Sequence, residues 1–276
     1  MIVGLVSRPD LRRALELSKR IYEHLRSKGV EVSLESKLAS FLGAKPTRLR
    51  DMDVDVVITV GGDGTILRTN VYLPKPTPIL GVNLGFRAFL GSVSPEEALD
   101  AVDHLIEGAY TLEGRISISA DVNGVPQPDA LNEVLVCSRT RSKIIHFTLR
   151  KDGRDMVTCS ADGIIIATPT GSTAYSLSAG GPVLDPTVDG LVITPLCSLP
   201  PIPPIVVPSE TLIQVELLGP GEAVLVIDGC YTRNLKREDV VSLKRSEREA
   251  LFVRIRERDF YGEFRRRILF FKEFKP

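Results

Sequence analysis

The chain has 276 residues, and its 35 Lys and Arg balance its 35 Asp and Glu, so the formal net charge is zero. A protein that binds nucleic acid mainly by electrostatics needs a basic surplus, so this balance argues against that class. No apolar run reaches the ~18 residues of a membrane-spanning helix, and the apolar start at residues 2–6 is too short for a secretory signal, so we expect a cytoplasmic protein without membrane association.

Strands and helices alternate along the first hundred residues. The apolar pattern predicts strands at 2–6, 30–32, 55–60 and 78–82. A helical stripe from Leu11 to Leu25 follows Asp10, which we expect to cap the helix. A second helix is expected to open over 66–71, and a third is predicted over 95–108 with Ser94 as N-cap. This alternation predicts an open α/β domain over residues 1–108.

The pattern changes after residue 108 to short β-branched runs separated by Gly, Pro and Asn-Gly. Two hairpins are predicted, one pairing 116–122 with 131–137 and the other pairing 144–150 with 156–159. Further strands are expected at 224–227 and 240–243, and the proline-rich segment 195–208 is expected to be a loop or an edge strand. These features predict a second, β-rich domain over 109–256. An aromatic and basic tail, 257–276, is expected to pack back on the first domain.

The strongest local signal is the segment Gly61-Gly62-Asp63-Gly64-Thr65, which directly follows a buried strand. Its glycines let backbone N–H groups approach a phosphate at the start of the next helix, beyond the carboxyl end of the strand. A carboxylate among such donors repels phosphate unless it handles a proton or a metal ion, so we assign Asp63 a chemical role. The alternative is an Asp that closes the turn or caps the helix. Arg68, one turn later, is placed to meet a phosphate, unless it is simply a solvated helix residue.

Two further segments carry polar groups that suit a nucleotide. A buried strand after Asp162 leads into the hydroxyl-rich run Thr168–Ser178, in which Tyr175 offers a flat face for a base. The polar pair Asn132-Glu133 precedes another apolar strand. Taken alone, the first segment is equally consistent with a helix-capping turn and the second with a strand-entry turn.

Several common signatures are missing from the sequence. There is no G-x-x-x-x-G-K-[ST] loop, no G-x-G-x-x-G, no G-x-S-x-G and no H-E-x-x-H. The three histidines suggest neither a nucleophilic triad nor a metal site, and no two of the four cysteines form a C-x-x-C pair. We therefore expect no metal site built from protein ligands alone.

In this order and at these distances, the three segments resemble the ATP-dependent NAD kinases, in their short archaeal or bacterial form. The glycine motif is also shared with diacylglycerol kinases, sphingosine kinases and phosphofructokinases, whereas the run Thr168–Tyr175 is far more specific. The resemblance extends from about residue 55 to about residue 230, and the first 50 residues fit it in pattern.

The resemblance implies an N-terminal α/β domain and an all-β, sandwich-like C-terminal domain, together forming an NAD kinase-like fold. It implies a homodimer or homotetramer with the site near a subunit contact. The implied reaction transfers the γ-phosphate of ATP to the 2′-hydroxyl of the adenosine ribose of NAD, giving NADP, with Mg²⁺ accompanying ATP. Asp63 would act as the general base, although orienting the Mg²⁺ is an open alternative. The implied nucleotide-binding residues are Asp63, Gly64, Arg68, Asn132, Glu133, Lys143, Asp162, Thr170, Thr173, Ala174, Tyr175, Ser176, Leu177, Ser178 and Cys197.

The sequence departs from the family pattern at three places. The loop Asn83–Leu90 has Arg and Ala where the family has Leu and Gly. Cys230 stands where the family often has Gln, so we expect that contact to be lost. Ser160 replaces a basic residue, and Lys143 or Arg141 is expected to supply the charge instead. Two other functions stay open from the sequence: a lipid or sugar kinase sharing only the glycine motif, and a non-catalytic NAD-binding sensor.

Overall fold

A computed structural model describes residues 1–85, 89–140, 142–219, 222–257 and 259–265. The chain divides into two compact units, one formed by 1–114 together with the segment from Ala250 onward, the other by 115–249. The first boundary, after residue 114, lies six residues later than the predicted limit at 108, and the second, after residue 249, lies seven residues earlier than the predicted limit at 256. The helices are α1 (Arg12–Ser27), α2 (Ser36–Leu42), α3 (Asp63–Tyr72), α4 (Ala98–Glu107) and α5 (Tyr175–Ser178).

The first unit contains a parallel sheet with the strand order β3-β2-β1-β4-β5. Its strands are β1 (Ile2–Ser7), β2 (Glu31–Glu35), β3 (Pro46–Thr47), β4 (Val56–Gly61) and β5 (Ile79–Asn83). All six residues of β4 are buried. Strands covered on both faces are expected to be continuous apolar runs, and this explains the uninterrupted β-branched sequence of β4.

Helices pack against this sheet through apolar stripes. Ala14, Leu17, Ile21 and Leu25 of α1 are buried, and they share one hydrophobic cluster with β1, β4 and the buried face of α4. The spacing of these four residues is that of one helix face, so the amphipathic pattern places α1 on the sheet.

The second unit is built from two groups of antiparallel strands. The remaining strands are β6 (Thr111–Val122), β7 (Val125–Pro126), β8 (Glu133–Ser138), β9 (Ile145–Lys151), β10 (Arg154–Ala161), β11 (Gly163–Ala167), β12 (Gly190–Leu196), β13 (Ile205–Pro208), β14 (Ile213–Leu217), β15 (Ala223–Ile227), β16 (Tyr231–Leu235) and β17 (Val240–Arg254). One group has the order β13-β12-β11-β8-β15-β16, and the other contains the run β10-β9-β14-β17. The last residues of β17 belong to the first unit, where Phe252 pairs with Ile79.

One predicted hairpin is confirmed and the other is wrong. β9 and β10 pair through a turn in which Asp152 and Gly153 both have positive φ. By contrast, β6 turns at Asn123-Gly124 into the short β7, and β8 pairs instead with β11 and β15. The Asn-Gly pair predicted the position of the turn but not the partner of β8, because the residues of a strand do not indicate which distant strand it pairs with.

The predicted helix starts need correction. The residue at the N-cap of α1 is Leu11, and Asp10 instead accepts hydrogen bonds from Arg8. α4 begins at Ala98, three residues later than expected, with Glu97 at its N-cap, although Ser94 and Glu97 make the reciprocal hydrogen bonds of a capping box. The short helix α2 was not predicted.

The described part of the tail contains the ring of Phe260, whose centroid lies 6.1 Å from that of Phe89 in the same unit. The remainder of the predicted tail, from residue 266, lies outside the described residues, as does the Arg-Ala departure in the Asn83–Leu90 loop. In the described ranges, no helix has the length and apolar character needed to cross a membrane.

Candidate active site

The strand order of the first unit reverses between β1 and β4, and the chain leaves both strands there at their carboxyl ends. In open α/β sheets this reversal opens the crevice in which ligands bind. β4 ends at Gly61 and α3 begins at Asp63, so one residue makes the connection. A Cβ on Gly61 would lie 2.3 Å from Thr65 Oγ1, which no real contact allows. The tight turn therefore requires glycine at this position.

A cavity of about 330 Å³ opens beside this turn. Its lining combines three cationic side chains with one carboxylate and with backbone at the start of α3, namely Arg8, Pro9, Asp10, Lys37, Gly62, Gly64, Thr65 and Arg68. Hydrogen bonds from Arg8 lower the pKa of Asp10, so this pair is an ion pair at neutral pH. The surplus of positive charge at a helix N-terminus suits an anion, above all a chain of phosphates.

Asp63 reaches away from its own turn. Its Oδ2 accepts a hydrogen bond from the N–H of Phe89 at 2.8 Å, and its Oδ1 accepts one from the N–H of Leu90 at 3.0 Å. Arg254 donates to the carbonyl of Leu90 at 2.9 Å and forms a buried ion pair with Glu113. The carboxylate of Asp63 is therefore held by a backbone segment that is itself anchored.

In the second unit, the structure brings together the predicted pair Asn132-Glu133 and the hydroxyl-rich run. The Thr168 hydroxyl donates to the carbonyl of Leu131 at 2.6 Å, and the Thr168 N–H donates to the carbonyl of Asn132 at 2.9 Å. A Cβ on Gly171 would lie 2.0 Å from the Asn132 carbonyl oxygen. The two segments therefore touch through their backbones, and glycine permits the contact.

Asp228 holds the other side of the same segment. Its carboxylate accepts N–H bonds from Leu131 at 2.8 Å, from Asn132 at 2.8 Å and from Glu133 at 3.1 Å. Burial raises the pKa of Asp228 to about 6, although these three donors act in the opposite direction. Sequence reasoning did not assign Asp228 to the site. The signal that could have found it is the Asp-Gly turn after β15, in which Asp228 and Gly229 both have positive φ.

Glu133 has an unusual environment for a carboxyl group. Burial, and secondly the neighbouring charge of Asp228, raise the pKa of Glu133 to about 8. Its Oε2 atom is buried and finds no hydrogen-bond partner within the part of the chain that the structure describes. Glu133 is therefore protonated at neutral pH and presents a donor and an acceptor rather than a charge.

The remaining predicted residues occupy three different places. Around α5, Thr173 and Ser176 are buried, whereas the side chain of Tyr175 is exposed. Asp162 precedes β11 and bonds to Leu196, so it lies beside Cys197 at the opposite end of β11 from Thr168. Lys143 is exposed in the loop before β9. Thr170 and Ala174 are half-buried, and Leu177 and Ser178 are exposed.

In the described ranges, no three His, Cys, Asp or Glu side chains gather into a group that could hold a metal ion.

Comparison with known proteins identifies the two halves of the chain. The model of the ATP-NAD kinase N-terminal domain matches residues 3–110, and the model of the C-terminal domain matches residues 131–255. An NAD kinase from Methanothermobacter thermautotrophicus is 40% identical over 98% of this chain and 96% of its own, and one from Pyrococcus abyssi is 38% identical over 97% and 99%. A crystal structure of an NAD kinase from Archaeoglobus fulgidus in complex with ATP superposes with a TM-score of 0.79 at 31% identity, covering 96% of this chain and 99% of that one.

The contact between Gly171 and Asn132 predicts a strong penalty for any side chain at position 171. Gly171→Ala is expected to lower the free energy of unfolding by about 1–3 kcal/mol, because the new methyl group meets backbone atoms that cannot move aside. Urea unfolding measures the change. Gly64→Ala is the matched control for stability, since its Cβ would meet nothing within 4 Å. Equal stabilities for the two variants would show that the close contact is not real.

The raised pKa of Glu133 predicts a pH-dependent effect of Glu133→Gln. Between pH 4.5 and about 8 the unfolded chain has an ionised Glu133 while the folded chain keeps it protonated, so wild-type stability falls with rising pH in this window. Gln does not titrate. The variant should therefore gain stability relative to wild type across the window, by on the order of 5 kcal/mol, and the gain should level off above it.

Urea unfolding over a pH series tests this expectation. Glu222→Gln, which replaces an exposed carboxylate in the same unit, serves as the control and should show no comparable rise. A gain for Glu133→Gln that is the same at every pH would mean that Glu133 is ionised in the folded protein.

Proposed function

We propose the activity of this protein from its family, since the two domain matches show that the chain belongs to the NAD kinase family. It is a kinase that transfers the terminal phosphoryl group of ATP to the 2′-hydroxyl of the adenosine ribose of NAD, giving NADP. The observation that carries the proposal is the cationic cavity at the start of α3, which is lined by Gly62 and Gly64, the two chain neighbours of Asp63. A triphosphate and an alcohol-activating carboxylate are the two requirements of this reaction.

The triphosphate of ATP occupies the cavity in this proposal. The backbone at Gly62 and Gly64 approaches the phosphates closely, and Arg8, Lys37 and Arg68 neutralise their charge. Phosphoryl transfer depends mostly on positioning and charge neutralisation, because the protein has little covalent chemistry to perform. A rigid cavity of this charge therefore supplies the larger part of the rate.

Asp63 is the proposed general base. A ribose hydroxyl attacks a phosphorus atom more readily when its proton passes to an acceptor as the new bond forms. The carboxylate of Asp63 accepts the N–H groups of Phe89 and Leu90, and an ionised carboxylate is a group that can take up such a proton. The two amide donors also fix the orientation of the carboxylate, so less conformational entropy is lost when the reactive geometry forms.

Magnesium enters this proposal with the nucleotide. Mg²⁺ retains several waters and is commonly held by substrate phosphates with one or two carboxylates. Bound there, it would neutralise charge on the phosphates, and orienting it is the alternative role proposed for Asp63. The competing roles of Asp63, as base and as metal-orienting group, both require its negative charge.

The dinucleotide is proposed to bind at the second unit, through the cluster that Asp228 organises. Asn132 offers an amide, and the protonated Glu133 offers both a donor and an acceptor to sugar hydroxyls. Thr170 and Thr173 add hydroxyl groups, and the exposed ring of Tyr175 offers a stacking face. Asp162, Cys197 and Lys143 are proposed to contact more distant parts of the same ligand, since they lie outside this cluster.

We also propose a homo-oligomer, a dimer or tetramer, in the cytoplasm. The support for self-association is the exposed apolar surface on the edge strand β13 and the loop before it, where Leu199 is 71% and Val206 48% exposed. Val206→Lys is expected to lower the mass measured by multi-angle light scattering toward that of the monomer, because a charge would be buried in the interface. A wild-type protein that is monomeric at micromolar concentration would contradict this.

The catalytic proposal predicts that Asp63→Asn abolishes NADP formation. With purified protein, NAD, ATP and Mg²⁺, the turnover number should fall by about 10²–10⁴-fold, because Asn can neither accept the proton nor carry the charge that orients Mg²⁺. NAD binding, measured by calorimetry, should remain. Asp53→Asn is the matched control, since Asp53 is an exposed carboxylate paired with Lys75 in the same unit.

The same assay separates the other functions that the sequence left open. Diacylglycerol and fructose 6-phosphate are offered as acceptors in place of NAD. Phosphorylation of either one in preference to NAD would overturn the proposal in favour of a lipid or sugar kinase. Tight NAD binding by the wild type without ATP consumption would overturn it in favour of a sensor.

A further inference from the structure

We propose that Glu35 is a positioning residue, which sets Arg68 and Lys37 to face the phosphates of ATP. The inference rests on the proposed function, because it takes the cavity beside Gly62 and Gly64 to be the triphosphate site. It adds a residue that does not line the cavity and that lies far from the glycine motif in sequence.

Glu35 contacts two elements that supply cations to the cavity. It is the last residue of β2 and only 5% exposed. Its Oε2 accepts the N–H of Lys37 at 3.1 Å, at the start of α2, and its Oε1 lies 3.5 Å from Nη1 of Arg68, in the middle of α3. One buried carboxylate therefore links the start of α2 to the guanidinium of α3.

The guanidinium of Arg68 retains unused hydrogen-bonding capacity. Its side chain is 30% exposed, whereas its Nη2 atom is buried and has no hydrogen-bond partner among the residues that the structure describes. Arginine presents five N–H donors in a planar fork, and phosphate oxygens match that fork. With Glu35 behind it, the fork is held in place while donors remain for an anion.

The charge of Glu35 lets the positioning proposal be distinguished by the direction in which the use of ATP changes when that charge is removed. By Coulomb's law alone, a carboxylate beside the cavity repels a triphosphate, so its removal should improve the use of ATP. Positioning predicts the opposite. A guanidinium released from its carboxylate must be ordered again each time a phosphate binds, and this lost preorganisation weakens both binding and transition-state contacts.

A purely structural role is the main competitor. Glu35 is the N-cap of α2, where its side chain accepts the Lys37 N–H. Glu35→Gln separates the two roles, because the amide oxygen of Gln can still accept that hydrogen bond but cannot pair with Arg68. Glu35→Ala removes both interactions.

The test measures steady-state kinetics for ATP at saturating NAD. For Glu35→Gln, kcat/KM for ATP is expected to fall about tenfold, as expected when a charge-assisted contact is lost, and KM for NAD should stay within about twofold of wild type. Equilibrium binding of adenosine 5′-(β,γ-imido)triphosphate should weaken by a similar factor. Asp103→Asn is the matched control, because Asp103 pairs with His24 and Lys28 elsewhere in the same unit. It should leave these values unchanged.

A double-mutant cycle with Arg68 completes the test. In an Arg68→Gln background, Glu35→Gln should cause no further loss in kcat/KM for ATP, because the residue through which Glu35 acts is gone. A loss that persists in this background would overturn the proposal and assign Glu35 to folding alone. An increase or no change in the single variant would overturn it as well.

The outcomes for the two proposals can be told apart. Failure of the wild type to make NADP would overturn the proposed function. Binding of the imido analogue would still report on Glu35, since that measurement needs no acceptor. If the wild type forms NADP and Glu35→Gln binds the analogue as tightly as the wild type, the proposed function is retained. The proposed role of Glu35 is then overturned.

Discussion

The connection from β4 to α3 is the constraint on which the rest of the site depends. The strand must pass into the helix through Gly62 alone, with Thr65 Oγ1 so close to Gly61 that no side chain fits there. Once the turn is made, the amino end of α3 points outward at the carboxyl edge of a parallel sheet. The unpaired N–H groups of a helix start and the partial positive charge of its dipole then coincide with the crevice at the strand reversal. The cationic side chains that follow β1 and β2 strengthen a preference for anions that the backbone already has.

The same turn fixes the direction of Asp63. Because Asp63 opens α3, its carboxylate can reach the N–H groups of Phe89 and Leu90, which lie 26 and 27 residues further along the chain. Arg254 holds the Leu90 carbonyl from the other side, with Glu113 as its counter-charge. A carboxylate held in this way needs little reorganisation when charge develops near it, and such preorganisation is the usual source of electrostatic catalysis. The glycine turn and the anchored segment therefore both hold the carboxylate of Asp63 in one orientation, and either role proposed for Asp63 requires this.

Much of this arrangement could be predicted from sequence, and the limits have a physical cause. The buried run of β4, the glycine motif after it and the hydroxyl-rich run Thr168–Tyr175 are local signals, because strand burial, turn geometry and hydroxyl content are properties of neighbouring residues. Asp228 and Glu35 could not be assigned to the site in the same way. The Asp-Gly turn indicates a special position at Asp228, but it does not indicate that Leu131 and its neighbours are the partners. The pairing of Glu35 with Arg68 likewise joins residues that are distant in sequence. The pairing of β8 with β11 and β15 was missed for the same reason.

Glu35 and Asp228 have similar roles in the two units, since each holds a neighbouring backbone segment in place through a buried carboxylate. Each is a buried carboxylate near the end of a strand, and each accepts backbone N–H groups of a segment that carries polar residues of the site. Burying a carboxylate costs free energy that an apolar residue of similar size would not, and the raised pKa of Asp228 reflects that cost. An apolar residue could fill the same space, but it could not accept three amide hydrogens and so hold Asn132 and Glu133 in one geometry. The unfavourable burial is therefore best explained by the orientation it imposes on the neighbouring residues rather than by the stability of the fold.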